Sequence, residues 1–387
     1  MTMSNSADRA SVWRDGKRFL WMAALIVPIL PYVSFGIATR SGSEAGWFFT
    51  PGLVFVLIPL LDWYVGNDGG NAPNASMQAL QDDAWYRYLT YLYLPLQYGT
   101  LVLGCWAWAD GLGWVGKLGV IASLGTVSGI AINTAHELGH KSEKLEQWYA
   151  KIALAPSLYG HFFVEHNRGH HVRVSTREDP ASSRLGESFY AFVPRTVWGS
   201  VTSAWELEAK RWKARGKSPF HARNEVLHAW AMTVVLFAVL TAAFGLRVLP
   251  MLIAQGVLGF LLLEVVNYLE HYGLARERTA AGHYVKVEPK HSWNSNRLIT
   301  NLFLYQLQRH SDHHANPALR YQVLRHFEDA PQLPAGYATM IVLALVPPLW
   351  RRVMDPRVVA HYEGDVTRAN IHPPSTARVL ERYSAAR

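Results

Sequence analysis

A helix that crosses a bilayer needs about twenty largely apolar residues, and this chain of 387 residues carries six such runs. They cover residues 19–37, 47–65, about 88–109, 115–134, about 227–244 and about 248–266. Backbone inside hydrocarbon must satisfy its own hydrogen bonds, so the runs predict helices and an all-α integral membrane protein. Pro28 and Pro31 predict a kink in the first, a feature that membrane helices tolerate. The links 39–46, 110–114 and 245–247 are short, which pairs the six transmembrane helices into three hairpins. A second apolar run follows the first with no small-residue cleavage site, which argues against a removed signal peptide. The expected organisation is one membrane domain over 1–387, with membrane helices at about 19–134 and 227–266. Polar segments at about 135–224 and 267–387 complete it. The stretch 337–350 is short and contains Pro347-Pro348, so it is expected at the interface or buried against the bundle. The stretch Gly69-Gly70-Asn71-Ala72-Pro73-Asn74 reads as a flexible loop.

Charge gives the orientation. The formal net charge of +8 does not point to nucleic acid, because the basic residues sit beside the apolar runs. Segment 135–224 holds Lys141, Lys144, Lys151, Arg168, Arg173, Arg177, Arg184 and Arg195, then a dense group at Lys210, Arg211, Lys213, Arg215 and Lys217. The N-terminus adds Arg9, Arg14, Lys17 and Arg18. An excess of Lys and Arg marks the cytoplasmic side, and an even number of crossings puts the C-terminal third there too. Gln255 and Glu264 are polar within the last run and are expected to face inward. The single cysteine, Cys105, excludes a disulfide framework, a Cys-type zinc site and a fused iron–sulfur module. It reads as a small buried hydrophobe. Electrons for any redox chemistry must therefore come from another protein or a bound cofactor.

The chemistry lies in the histidines. Three stretches hold eight of the seventeen: His136-Glu137-Leu138-Gly139-His140, Glu165-His166-Asn167-Arg168-Gly169-His170-His171 and His310-Ser311-Asp312-His313-His314. A ninth, His271, stands in Asn267-Tyr268-Leu269-Glu270-His271-Tyr272-Gly273 at the end of the last run. Separations of three and four put His136/His140, His166/His170 and His310/His313/His314 each on one helical face. Nine imidazoles exceed what one metal can use and supply two metals with four and five ligands. All fall on the side that the charges mark as cytoplasmic. Glu137, Glu165, Glu270 and Asp312 either orient imidazoles through their second nitrogen or bind metal themselves.

Duller and rival readings fail on particular points. His-Glu-x-x-His alone is a zinc-protease pattern, but a catalytic zinc takes about three protein ligands, which leaves two clusters unexplained. A metal transporter would carry its histidines within the spans rather than at their ends. Ordinary polar surface seldom yields two motifs that each end in a His-His pair. Nitrogen donors alone do not select the metal, whereas electron-transfer chemistry favours iron over zinc. The histidines His161, His221, His228, His283, His291, His326, His361 and His372 lack ligand spacing, and His291 in His-Ser-Trp-Asn-Ser is the strongest candidate for a supporting part.

The three histidine stretches resemble the boxes of the integral-membrane diiron superfamily, which includes membrane fatty-acid desaturases, hydroxylases and xylene-type monooxygenases. The chain is most similar to the bacterial alkane 1-monooxygenases. That likeness rests on Asn133-Thr134-Ala135, Asp179-Pro180-Ala181-Ser182-Ser183-Arg184, the Asn267–Leu274 element, His291-Ser292-Trp293-Asn294-Ser295-Asn296, Leu307 to Pro317 and Val353-Met354-Asp355-Pro356. The resemblance implies two non-haem irons held by His136, His140, His166, His170, His171, His271, His310, His313 and His314. It implies hydroxylation by O2 of the terminal methyl of medium- to long-chain n-alkanes at the bacterial inner membrane, on its cytoplasmic side. Electrons would come from rubredoxin, itself reduced by a rubredoxin reductase. The alternative is a related enzyme acting on fatty acyl chains or aromatic methyl groups. Val54 and Leu57 are candidates to line the substrate path or to face lipid.

Overall fold

The structure, a computed structural model, describes residues 13–384, so Arg9 lies outside the described residues. Its principal helices are α1 (Leu20–Ser41), α2 (Glu44–Val65), α3 (Ala84–Asp110), α4 (Trp114–Gly139), α5 (Phe189–Lys213), α6 (Glu225–Phe244) and α7 (Leu246–Glu270). Shorter ones follow, α8 (His310–Ala315), α9 (Tyr337–Ala344) and α10 (Pro347–His361). Among the described residues, strand pairing is confined to isolated bridges. The fold is all-helical, as the apolar periodicity predicts.

All six apolar runs are helical, and five of them (α1, α2, α4, α6 and α7) are long and apolar enough to cross a membrane. The sixth, α3, has the length, but Tyr86, Tyr88, Tyr91, Tyr93 and Tyr98 with Gln97 dilute its apolar character. Large apolar side chains such as Val56, Leu60, Val234, Val235 and Val239 are exposed on the outer faces of α2 and α6, as expected of lipid-facing surface in a membrane protein.

The bundle is held at its centre by α4 against α7, the most extensive helix pair. Small residues let the two backbones approach, as in other membrane helix pairs. A Cβ at Gly129 would stand 2.7 Å from Leu262 Cδ2 and 3.0 Å from the Gly259 carbonyl oxygen. Ser128 Oγ donates to Gln255 Oε1 across this contact at 2.6 Å, and Gln255 Nε2 donates to the Pro156 carbonyl at 2.7 Å. Gln255 and Glu264 are both buried, so each faces inward as expected. Cys105 is likewise buried.

Two local features depart from the sequence reading. Leu53–Leu57 in α2 form a π-helical segment, which turns Val54 inward while Leu57 stays 43% exposed. The loop expected to be flexible is instead clamped on buried Arg309. That guanidinium donates to the carbonyls of Asp68 (3.0 Å), Gly70 (2.9 Å) and Leu324 (2.7 Å) and to Asn71 Oδ1 (3.2 Å). The segment 337–350 does pack on the bundle: Tyr337, Met340 and Trp350 join Tyr268 and Tyr272 in one core.

Candidate metal centre

Four pieces of chain converge at one end of the α4–α7 pair. The last turn of α4 carries His136, and His140 follows as its C-cap, one turn on. The second stretch is not a plain α-helix, because His166–His170 form a π turn. A π turn brings residues five apart into line, so His166 faces His171, Nε2 to Nε2 at 3.1 Å, rather than sharing a face with His170. Gly169 leaves room beside this turn for the Glu165–Arg173 ion pair, whose carboxylate and guanidinium a Cβ there would meet. His271 ends α7, and α8 supplies the last three imidazoles.

The nine fall into two groups whose donor atoms lie within 4.8 Å of one another. His136, His140, His166, His171 and His313 form one; His170, His271, His310 and His314 form the other. The sequence neighbours His170/His171 and His313/His314 therefore go to opposite groups. The expectation of one shared face for His310, His313 and His314 is corrected here, since only His310 and His314, one turn apart, stay together. The groups abut, with the His171 and His314 rings 4.3 Å apart.

The donor geometry fits bound metal. Neighbouring Nε2 atoms stand 2.8 Å apart in His314–His310, 3.1 Å in His313–His171 and 3.3 Å in His310–His271. Metal–nitrogen bonds near 2.0–2.1 Å place adjacent donors roughly 2.8–3.4 Å apart, from right-angled to tetrahedral geometry. The buried Nε2 atoms of His136 and His140 have no hydrogen-bond partner in the protein. Burial, reinforced by neighbouring imidazoles, pushes His140, His166, His171, His310, His313 and His314 well below the usual histidine range. The rings are therefore held neutral, the state in which imidazole binds metal.

The carboxylates sort differently from the sequence expectation. Asp179, which it missed as a functional group, accepts from His170 Nδ1 at 2.9 Å. Burial alone would raise the Asp179 carboxyl, but His170 and Ser182 hold it below its usual value. An acid nine residues after His170 was the available signal. Glu270 Oε2 lies 3.2 Å from His310 Nε2 and Glu270 Oε1 has no partner, so this carboxylate faces the metal-binding side of the four-histidine group. Glu137 pairs with Lys141 (3.0 Å), Glu165 with Arg173 (2.7 Å) and Asp312 with Arg325 (2.9 Å). Those three brace the histidine segments and orient no ring. His291 contributes its carbonyl oxygen, 3.4 Å from His271 Nδ1, and His161 is buried beside Tyr159, outside both groups.

A mostly apolar cavity of about 70 Å³ lies along α4 and α7, and His136, His166, Glu270 and His310 are part of its lining. Val54, Ile130, Leu262, Val266, Leu304 and Ile341 supply much of its wall. From Leu262 to Glu270 it follows α7 for about 12 Å, at 1.5 Å rise per residue.

Fold and site together define a helical membrane protein with a histidine-built metal site beside a mostly apolar cavity. Residues 112–344, more than half of the chain, match the fatty acid desaturase family model. The chain is 43% identical over 382 residues to an alkane 1-monooxygenase of Acinetobacter baylyi, covering 95% of this chain and 91% of the relative. It is 47% identical over 353 residues to alkane 1-monooxygenase 2 of Pseudomonas aeruginosa, covering 90% and 93%. A xylene/toluene monooxygenase hydroxylase component of Pseudomonas putida is 30% identical over 272 residues, covering 67% and 70%. The chain belongs to the alkane 1-monooxygenases within the fatty acid desaturase family.

Proposed function

We propose that this chain hydroxylates the terminal methyl of medium- to long-chain n-alkanes, using O2 and electrons from rubredoxin. The observation that carries this reading is the mostly apolar cavity whose lining includes His136, His166 and His310. Two iron ions fit the two donor groups, five histidines on one and four on the other, with Glu270 at the edge of the second. Bound there, they would supply O2 activation and the electrons for it. In this reading α3 joins the five apolar helices to make six spans in three hairpins, and the metal centre lies on the cytoplasmic side of the inner membrane.

The protein's own part is positioning. A primary C–H bond is stronger than the secondary bonds beside it, so terminal selectivity needs a steric cause. A narrow channel closed at the metal end delivers the chain end first and holds it there. Apolar walls also keep water from the reacting carbon. The alkane partitions from water into the membrane by about 0.8 kcal/mol per CH₂, so lipid is its natural store.

For the electron donor, the basic C-terminal end of α5 is the proposed dock. Lys210 is 78% exposed. Arg211 and Arg168 both pair with Glu208, which ties this end to the second histidine stretch. An acidic partner would be steered there. A second reading, oxidation of acyl chains or aromatic methyl groups, is favoured by the family model and the xylene/toluene relative.

One experiment separates these. Iron-loaded protein in lipid would receive NADH, reductase, rubredoxin, O2 and a mixture of n-alkanes, with acyl chains and xylene in parallel. Primary alcohols formed only with rubredoxin support the proposal. Products from acyl or aromatic substrates alone, or zinc in place of iron, overturn it.

A further inference from the structure

One buried cation in this structure lacks a counter-charge at contact distance. Arg309 is 3% exposed, and a guanidinium carries five N–H donors. Four of them go to the carbonyls of Asp68, Gly70 and Leu324 and to Asn71 Oδ1, all neutral acceptors. The fifth, on Nε, has no partner in the protein. A buried charge without a paired ion is costly, so an anion beside Arg309 would be favoured.

Arg309 lines a cavity of about 410 Å³ together with Arg14, Asp15, Lys17, Asp68 and Gln322. That volume suits a small polar group. Both carboxylates of the lining are already taken. Asp68 pairs with Lys17 and accepts from the Gly70 N–H at 2.9 Å. Asp15 accepts from Trp21 Nε1 at 3.0 Å, Tyr86 Oη at 2.8 Å and the Lys17 N–H at 2.9 Å. Among the described residues, Arg14 and Arg309 are thus the two cations of the lining with no carboxylate partner. Gln322 adds a buried acceptor: its Nε2 donates to the Leu80 carbonyl at 2.8 Å, while its Oε1 has no partner.

The cavity sits just outside the ends of α1 and α2, since residues 13–17 precede Leu20 and residues 68–72 follow Val65. Phe19, Trp63 and Tyr64, at the same two helix ends, are exposed. Aromatic side chains gather at the membrane–water boundary, which sets this end of the bundle at the depth of phospholipid headgroups. Leu20, Leu60 and Leu61 are exposed on the same helices and offer acyl chains a surface leading away from the cavity.

We propose that this cavity binds the headgroup of a membrane phospholipid: Arg14 and Arg309 take the phosphate, and Gln322 Oε1 accepts from a hydroxyl or ammonium on the same headgroup. Basic pockets at the membrane surface recognise lipid phosphate in this way. Phosphatidylglycerol and phosphatidylethanolamine both carry the required donor, whereas phosphatidylcholine has the phosphate without it. Arg309 adjoins His310, the first residue of α8, so a bound headgroup ties the metal-holding segment to the membrane surface.

The test uses delipidated full-length protein in detergent. It would be titrated with phosphatidylglycerol, phosphatidylethanolamine, phosphatidylcholine and inorganic phosphate. Native mass spectrometry counts bound lipid, and melting temperature is read in parallel. The parent should bind the first two lipids about tenfold more tightly than phosphatidylcholine, the lower end for leaving a buried acceptor unfilled, and should melt higher with them. Arg14→Glu, an exposed position outside the metal site, should keep the lipid-free melting temperature and bind phosphatidylglycerol about tenfold more weakly. Parental affinity in Arg14→Glu, or no lipid bound by the parent, overturns the site. Inorganic phosphate that displaces phosphatidylglycerol and raises the melting temperature as far at equal concentration overturns the lipid source. Equal affinity for all three lipids overturns the part given to Gln322. No readout uses an alkane, so failure here and failure of the hydroxylase reading are separate results.

Discussion

Asp179→Asn should loosen the metal held by the four-histidine group while leaving the helices intact. Asp179 is 1% exposed and accepts from His170 Nδ1 (2.9 Å), Ser182 Oγ (2.6 Å) and the Ala181 N–H (3.2 Å). A carboxylate only accepts, so it fixes the His170 proton on Nδ1 and leaves the Nε2 lone pair for metal. His170 Nδ1 and Ser182 Oγ share Oδ2, whereas the Ala181 N–H bonds Oδ1, so an asparagine that keeps the Ala181 N–H on its oxygen turns its NH₂ toward Nδ1. The proton then moves to Nε2, the wrong tautomer for a ligand. Loss of such an outer partner costs about 10- to 100-fold in metal affinity, or about 1.4–2.7 kcal/mol. The assay is retained iron against graded chelator, with Mössbauer spectra to distinguish the two sites and circular dichroism to follow folding. One iron should leave at a chelator concentration about 10- to 100-fold lower than in the parent. Release of both irons at the parental midpoint would refute the orienting role of Asp179.

Val54→Trp should shorten the longest alkane accepted, because Val54 lines the cavity. Leu57→Trp, on the exposed side of the same π segment, should leave the product profile unchanged; gas chromatography of alcohols from mixed alkanes reads both. Gly129→Ala should overpack the α4–α7 contact at Leu262 and Gly259 and cost about 1–3 kcal/mol, seen as a lower melting temperature in detergent. In the metal-free protein, burial lowers His161 to about 4. The unfolded chain takes up that proton first as pH falls below about 6.5, so stability should drop by about 1.4 kcal/mol per pH unit down to about pH 4. The depressed ligand histidines act in the same direction, and denaturant midpoints measured across that range check the slope. Charge reversal at Lys210, Lys213 and Lys217 should reduce rubredoxin-driven turnover, more so at low salt, with iron content unchanged.

The histidines were legible because imidazole is scarce elsewhere in apolar chains and because each cluster followed a helical interval. Their division was not, since it depends on a π turn at His166–His170 that puts His171, not His170, beside His166. Helix positions followed from runs of apolar residues, and the tyrosine-rich α3 has the length of the other five with less apolar character. Inward-facing Gln255 and Glu264 were evident as polar residues in an apolar run. The partner of Glu264 was not, because Thr196 comes from a helix 68 residues away in sequence. Asp179 escaped notice because its service to His170 depends on the turn at 179–182, which spacing does not reveal.

The clamp on Arg309 has a consequence for how this chain tolerates change. Residues 66–74 look like spacer, where insertion or proteolytic nicking would be harmless. Their carbonyls instead grip the residue just before His310. Lengthening that loop would release the third histidine stretch without touching a histidine. The connection between α2 and α3 is thus tied to the register of the metal site through Arg309 rather than being a free spacer.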